Sequence, residues 1–230
     1  MDIEGSVAVV TGANRGLGRH FAAQLLERGA AKVYAAARNP AAIDLPGVVH
    51  LRLDITDPES VAAAASAAGD ATLLVNNAGT YTHATLLDGE FDDIRLEMET
   101  HFFGTLRMTR AFAPVLAANG GGAVLTVLSV LSWVHSPVYG GYSAAKAAAW
   151  SQVNSLRQQL APLGVDMTAL HVGYLDTDMA AHVDEPKNDP AVVAATALDG
   201  VQQGTWEVVA DEFSQQVKSA LSSPPEVLYQ

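Results

Sequence analysis

Tyr142 and Lys146 stand four residues apart in Tyr142-Ser143-Ala144-Ala145-Lys146, and Ser129 lies thirteen positions before the tyrosine. On a helix that spacing is one turn, so the phenol and the ammonium share a face. A phenol at its ordinary pKa of about 10 is a poor acid–base group at neutral pH. A neighbouring ammonium favours the phenolate and lowers that value. A tyrosine so placed can give a proton to an oxygen atom or take one from it, and a serine beside it can hydrogen-bond the same oxygen as charge develops there. Standing alone, the pair also reads as a core tyrosine with a surface lysine one turn along. The surrounding pattern decides between the two.

The second chemical feature is Thr11-Gly12-Ala13-Asn14-Arg15-Gly16-Leu17-Gly18, which follows an apolar run at 6–11 and opens an amphipathic stretch at 17–28. In a strand–turn–helix of this kind, Gly12 permits the tight turn and Gly16 lets a pyrophosphate approach the backbone. Gly18 lets helix and strand pack closely. The helix N-terminus then offers unpaired N–H groups and a partial positive charge to phosphates. The spacing is Gly-x-x-x-Gly-x-Gly, not the commoner Gly-x-Gly-x-x-Gly.

These groups need elements to hold them. Short β-branched runs at 6–11, 32–37, 48–53, 73–75, 123–128, 166–171 and 207–209 alternate with helical patterns at 17–28, 92–118, 142–160, 191–200 and from 212 onward. The 92–118 pattern looks interrupted near its middle. Gly29 suits the C-terminal cap of the first helix, and Asp57-Pro58-Glu59 supplies an N-cap, a first-turn proline and a favourable acid. Strands that are apolar throughout must be covered on both faces. The expectation is a single-domain α/β fold over 1–230, a Rossmann-type doubly wound parallel sheet with helices on both faces and its ligand site at the carboxyl ends of the strands.

The chain resembles the short-chain dehydrogenase/reductase family, in four ordered segments that span nearly its whole length. They are the glycine turn, Asn76-Asn77-Ala78-Gly79, the Ser129…Tyr142-x-x-x-Lys146 pattern, and His171-Val172-Gly173-Tyr174-Leu175-Asp176-Thr177, which is similar to the family's Pro-Gly-x-x-x-Thr segment. The resemblance implies hydride transfer between a nicotinamide cofactor and a carbonyl or alcohol, with Tyr142 exchanging the proton, Ser129 holding the substrate oxygen and Lys146 reaching the nicotinamide ribose; the positive ring of the oxidised cofactor then joins the ammonium in favouring the phenolate. It also implies cofactor contacts at Gly12, Asn14, Arg15, Gly16, Leu17, Gly18, Arg38, Asp54, Ile55, Asn76, Ala78, Gly79, Gly173, Leu175 and Thr177, with Asp54 beside the adenine.

Three departures stand out. The family's fourth catalytic residue is an asparagine in the long middle helix, and His101 occupies that position. Its backbone carbonyl survives the change. Its ring is either a shuttle titrating near pH 6.5 or a neutral space-filler. Val172 replaces the usual proline before Gly173, and the chain lacks the family's Val-Asp-Gly-Gly tail. The second point puts the usual tetramer in doubt and leaves monomer and dimer open. Leu131, Trp133, Val134, Tyr139, Tyr174 and Met179 are expected round the substrate, Ser132 is expected to line the same pocket, and 180–190 is expected to form a lid over it. These residues suit an uncharged, hydrophobic ketone or aldehyde. Reduction of an imine or quinone and a catalytically silent cofactor-binding sensor are the rival readings.

Bulk composition narrows the rest. A net charge of −12 argues against nucleic acid, and the absence of cysteine removes disulfides and thiolate chemistry. The histidines show no metal-ligand spacing, so no metal is expected. No basic segment with an apolar core opens the chain and no apolar run approaches a membrane span, which reads as a cytoplasmic protein. The second strand ends Ala35-Ala36-Ala37-Arg38-Asn39, with a cation where NAD-preferring folds carry an acid. Arg15 in the glycine turn adds a second cation suited to a 2′-phosphate, so the expected cofactor is NADPH/NADP. Arg38→Asp is expected to shift preference towards NADH, read as the ratio of kcat/KM for the two cofactors; an unchanged ratio would count against the assignment.

Overall fold

A computed structural model describes residues 1–229. Seven strands build one sheet: β1 (Val7–Thr11), β2 (Lys32–Ala37), β3 (Val49–Arg52), β4 (Leu73–Asn76), β5 (Gly122–Val127), β6 (Val165–His171) and β7 (Glu207–Val209). Their order is β3-β2-β1-β4-β5-β6-β7, and every neighbouring pair is parallel. The helices are α1 (Gly16–Glu27), α2 (Pro58–Ala67), α3 (Phe91–Met98), α4 (Thr105–Ala118), α5 (Gly140–Leu160), α6 (Pro190–Gln202), α7 (Glu212–Ala220) and α8 (Pro225–Leu228). α1 and α6 cover one face of the sheet, α1 with Phe21 and Leu25 and α6 with Val193 and Leu198. α2, α4 and α5 cover the other with Val61, Met108, Phe112 and Val153. The central strands are buried on both sides, which is why they read as continuous apolar runs. The doubly wound α/β sheet expected from the alternation is the one observed.

The winding reverses between β1 and β4. Loops from the two neighbouring strands therefore leave in opposite directions and open a crevice at their carboxyl ends. Gly12 and Gly18 tighten the first loop. Gly12 has φ +66, and a Cβ on Gly18 would lie 2.2 Å from the Gly12 carbonyl oxygen. Gly29, with φ +82, closes α1. Asp57, Asp189 and Asp211 cap α2, α6 and α7 with side-chain oxygens. α1 is treated differently: Arg15 at its N-cap gives no side-chain cap and its first turn has no acid, so its leading amides face the crevice.

The interruption expected in the long middle helix is a single π-helical segment, Glu99–Gly104, between α3 and α4. A π-turn widens the helix by one residue and is frequent at functional positions. His101 lies inside it. Element ends shift by one or two residues from expectation, β3 being shortened at both ends, and the short α8 near the C-terminus has no apolar periodicity long enough to announce it.

Candidate active site

A cleft of about 1230 Å³ runs along the carboxyl ends of the strands, beneath the glycine turn and above β5. It exceeds the 300–1,000 Å³ typical of a drug-sized ligand pocket and has room for a dinucleotide beside a small substrate. Gly12, Asn14, Arg15, Gly16, Leu17, Gly18, Arg38, Asp54, Ile55, Ala78, Gly79, Gly173, Leu175 and Thr177 all line it. The cradle fits a dinucleotide: glycines leave backbone exposed, the uncapped α1 amides point in, and Arg15 and Arg38 flank the far end. Arg15 makes an ion pair with Asp178 at 3.0 Å, with both side chains largely exposed. Such a surface pair is worth at most about 1 kcal/mol, so a phosphate can displace it cheaply. Thr56 holds Asp54 Oδ1 through its backbone N–H at 2.9 Å and its hydroxyl at 2.7 Å. Asp211 fixes the other rim by accepting from the Gly173 N–H at 2.8 Å while capping α7.

Ser129 ends the strand segment after β5, where its hydroxyl accepts from the Leu131 N–H at 3.1 Å and starts a 3₁₀ turn, Val130–Ser132. Tyr142 and Lys146 sit one turn apart on α5, both on the cleft wall, with the Lys146 ammonium 5.5 Å from the centre of the Tyr142 ring. Lys146 donates to the Val127 carbonyl at 2.9 Å. It has no acidic partner among the described residues, and burial pushes its pKa down to about 7. Burial also pushes Tyr142 up, with a hydrogen bond from Ser129 acting the other way and the charge of Glu97 adding to the rise. In the chain by itself burial is the largest influence on the phenol, and the resting pair is a neutral phenol beside a weakly basic amine.

His101 is buried and packs edge-on against Tyr142, ring centres 5.0 Å apart. Its Nε2 pairs with the Thr80 carbonyl at 2.7 Å. Burial and then the nearby Lys146 charge hold it well below its ordinary value, against the Thr80 bond. That shift disfavours a proton shuttle working near pH 6.5 and favours a neutral ring that fills space. A Cβ on Gly79 would come within 2.8 Å of its Cε1, so the glycine of the Asn76–Gly79 segment makes room for it. Behind Tyr142, Glu97 is fully buried, accepting from the Thr82 N–H at 2.8 Å. Burial raises its pKa. Its other oxygen occupies the notch left by Gly141 at the start of α5.

Three expected site residues lie elsewhere. Trp133 does not face the cleft. The 3₁₀ turn sends it inward to stack on His171 at 3.8 Å and meet Trp150 edge-on, while Leu131 and Val134 take the cleft side. Ser132 is buried beneath the same turn, donating to the Ser129 carbonyl at 2.6 Å and pairing with His171 Nδ1 at 3.0 Å. Asn76 points down into the core and donates to the Thr109 hydroxyl at 3.1 Å. Its neighbour Asn77 reaches the cleft, and its Nδ2 ties the glycine turn through the Thr11 carbonyl at 2.9 Å. Tyr139, Tyr174 and Met179 do line the cleft, as do Ala180, His182, Val183, Glu185 and Pro190 of the 180–190 segment, and a bridge joins Leu175 to Asn188. Tyr81, His182, Leu228 and Tyr229 also line it. No motif marks them, because they enter from loops and the C-terminal helix far apart in sequence.

The short chain dehydrogenase family profile matches residues 6–188. The 3-oxoacyl-acyl-carrier-protein reductase of Salmonella typhimurium is 30% identical over 217 residues, covering 88% of each chain. The dehydrogenase/reductase SDR family member 7B of Xenopus laevis is 30% identical over 196 residues, 77% of this chain and 61% of that protein. A short chain dehydrogenase from Burkholderia cenocepacia in complex with NADP superposes with a TM-score of 0.95 at 41% identity, covering 100% of this chain and 98% of that one. A short chain dehydrogenase/reductase from Burkholderia phymatum in complex with NAD shares the fold, with a TM-score of 0.86 at 22% identity, over 96% and 93% of the two chains.

Two outcomes follow from the buried charges. Lys146 has a folded pKa of about 7 against an ordinary 10.5. The unfolded chain thus binds that proton more tightly, and stability falls as the pH drops from about 10.5 to about 7. Lys146→Met is expected to melt above the parent. The gap should be widest at and below pH 7 and close towards pH 10.5 in thermal melts of ligand-free protein. His101→Asn is expected to give a pH–rate profile superimposable on the parent's between about pH 5 and 8, since a neutral His101 changes no charge there; a displaced limb would restore a titrating role.

Proposed function

The chain belongs to the short-chain dehydrogenase/reductase family of oxidoreductases, and from that premise we propose that it reduces a small, uncharged, hydrophobic ketone or aldehyde to the alcohol with NADPH. The observation that carries the reading is the neutral Tyr142 on the cleft wall between Ser129 and Lys146. A phenol that burial keeps protonated is a donor in waiting, which suits carbonyl reduction. In that role Ser129 and Tyr142 hold the carbonyl oxygen, and Tyr142 releases its proton to it as negative charge appears. Lys146, one turn along, regains full charge beside an anionic ligand and then steadies the phenolate left behind. His101 and Glu97 keep the Tyr142 ring in place from behind.

The glycine cradle, the α1 amides and the Arg15 and Arg38 guanidiniums would hold the dinucleotide, with Lys146 at its ribose. When bound, the nicotinamide supplies the hydride. Preference for NADPH is supported by the two arginines and by the NADP complex of the Burkholderia cenocepacia protein at 41% identity. For the substrate, the cleft near Tyr142 presents Leu131, Val134, Tyr139, Tyr174 and Met179. In this reading the nearest cation, Lys146, serves the cofactor's ribose, and for the substrate apolar surface gains about 25 cal/mol per Å² on leaving water.

The test follows NADPH absorbance with purified protein and a panel of ketones, aldehydes, cyclic imines and a 3-oxoacyl thioester, with NADH and Tyr142→Phe alongside. Turnover of a neutral carbonyl compound with NADPH, falling by at least about 10²-fold in Tyr142→Phe, is expected. Turnover that survives the substitution, or an absence of binding to either cofactor, would overturn the reading.

A further inference from the structure

The rings near the catalytic tyrosine form a connected set, and Tyr81 is its hub. Tyr81 comes from the loop after β4 and lines the cleft. Its ring lies 5.1 Å from Tyr139, 5.9 Å edge-on from Tyr142 and 5.6 Å from His182 of the lid, stacked on it at 23°. His83 braces it from behind at 4.1 Å and also meets His182 at 4.9 Å. His83 has φ +63, the left-handed region that a non-glycine residue rarely adopts. Such strain persists only where the surroundings enforce it, and it gathers at ligand sites.

Two hydroxyl protons of this set are already committed. Tyr81 donates to the Val138 carbonyl at 3.3 Å, and Tyr174 donates to the Tyr139 hydroxyl at 3.1 Å. Burial and neighbouring Tyr139 push Tyr81 up to about 12, so it stays neutral. Tyr81 and Tyr174 thus direct their protons away from a ligand and present ring faces and edges to the cleft.

We infer that Tyr81 is a specificity-determining residue that makes this pocket select carbonyl compounds bearing a planar aryl substituent, with the lid residue His182 completing the aromatic wall. The inference rests on the carbonyl-reduction reading for the site's chemistry and adds the substrate class. A carbonyl oxygen placed at Tyr142 puts one substituent against Tyr81, which is 5.9 Å away. An aryl group there gains edge-to-face or offset contact beyond what its area alone supplies, worth about two- to tenfold in affinity per ring pair. A saturated ring of equal carbon count loses that surplus and keeps the hydrophobic part.

The experiment compares phenyl methyl ketone with cyclohexyl methyl ketone, both by kcat/KM with NADPH and by calorimetric affinity for NADPH-loaded protein. The parent is expected to favour the phenyl compound several-fold in both. Tyr81→Leu should bring that ratio towards one, and Tyr81→Phe, which keeps the ring, should retain it. His182→Leu should lower it by a smaller factor. A ratio near one in the parent, or a ratio unchanged in Tyr81→Leu, would overturn the inference. So would equal loss in Tyr81→Phe, which would assign recognition to the hydroxyl. The affinity arm needs no turnover, so a chain that binds the phenyl ketone selectively without reducing it would strike the catalytic reading and leave the role of Tyr81 supported.

Discussion

The ammonium of Lys146 is buried with a single protein acceptor, the Val127 carbonyl, and with no carboxylate beside it. Burying an unpaired cation is costly, and much of the surrounding structure follows from that cost. Neighbouring titratable groups are kept uncharged. His101 is held neutral, and His171, at the base of the Ser129 loop, is pushed down to about 3 by burial. Glu97, the acid behind Tyr142, is itself shifted towards its protonated form. A site that starts with no compensating anion is prepared for an anionic ligand, whose arrival restores the lysine's charge. The destabilised resting state and the binding competence have one origin.

Where that lysine sits depends on the sheet. Reversal of the winding between β1 and β4 opens the crevice, and the Val127 carbonyl at the end of β5 lies on its floor. The Ser129 turn is then anchored from below. Ser132 and His171 hydrogen-bond its backbone, and Trp133 packs over His171 while Lys218 of α7 lies 5.0 Å from the Trp133 ring. Glu207 of β7 joins the same group through its ion pair with Lys218. Residues that contribute nothing to the cleft wall thus fix the direction of the serine, because a turn has too few hydrogen bonds of its own to do so.

The long middle helix shows how local geometry serves the same end. A continuous α-helix from 91 to 118 would carry His101 round with its regular turn; the π segment Glu99–Gly104 widens the helix there, and His101 packs against Tyr142 and the Thr80 carbonyl. Gly79 and Gly141 then provide the notches for His101 and Glu97. The catalytic helix and the Tyr81 loop are joined through these contacts and through the Gly141 N–H bond to the Ala84 carbonyl at 3.1 Å.

Sequence alone determined the alternation of strand and helix, the parallel sheet, the glycine turn and the Ser129, Tyr142 and Lys146 set. Each depends on periodicity or on spacing within one or two adjacent elements, and local steric and hydrogen-bonding rules act at that range. That the positions expected at the cofactor would line one cleft was legible for the same reason, Asn76 excepted. Its place in the motif does not say which of two adjacent asparagines turns to the core. Tertiary structure decided the rest. The inward turn of Trp133 and Ser132 depends on which side of a 3₁₀ turn meets β6. The aromatic wall of Tyr81 and His182 and the contribution of Leu228 and Tyr229 join segments up to some 150 residues apart. The resting protonation states of Tyr142, Lys146 and His101 were also left to the tertiary structure, because burial is the largest influence on each, and burial exists only once distant parts of the chain have closed around the group.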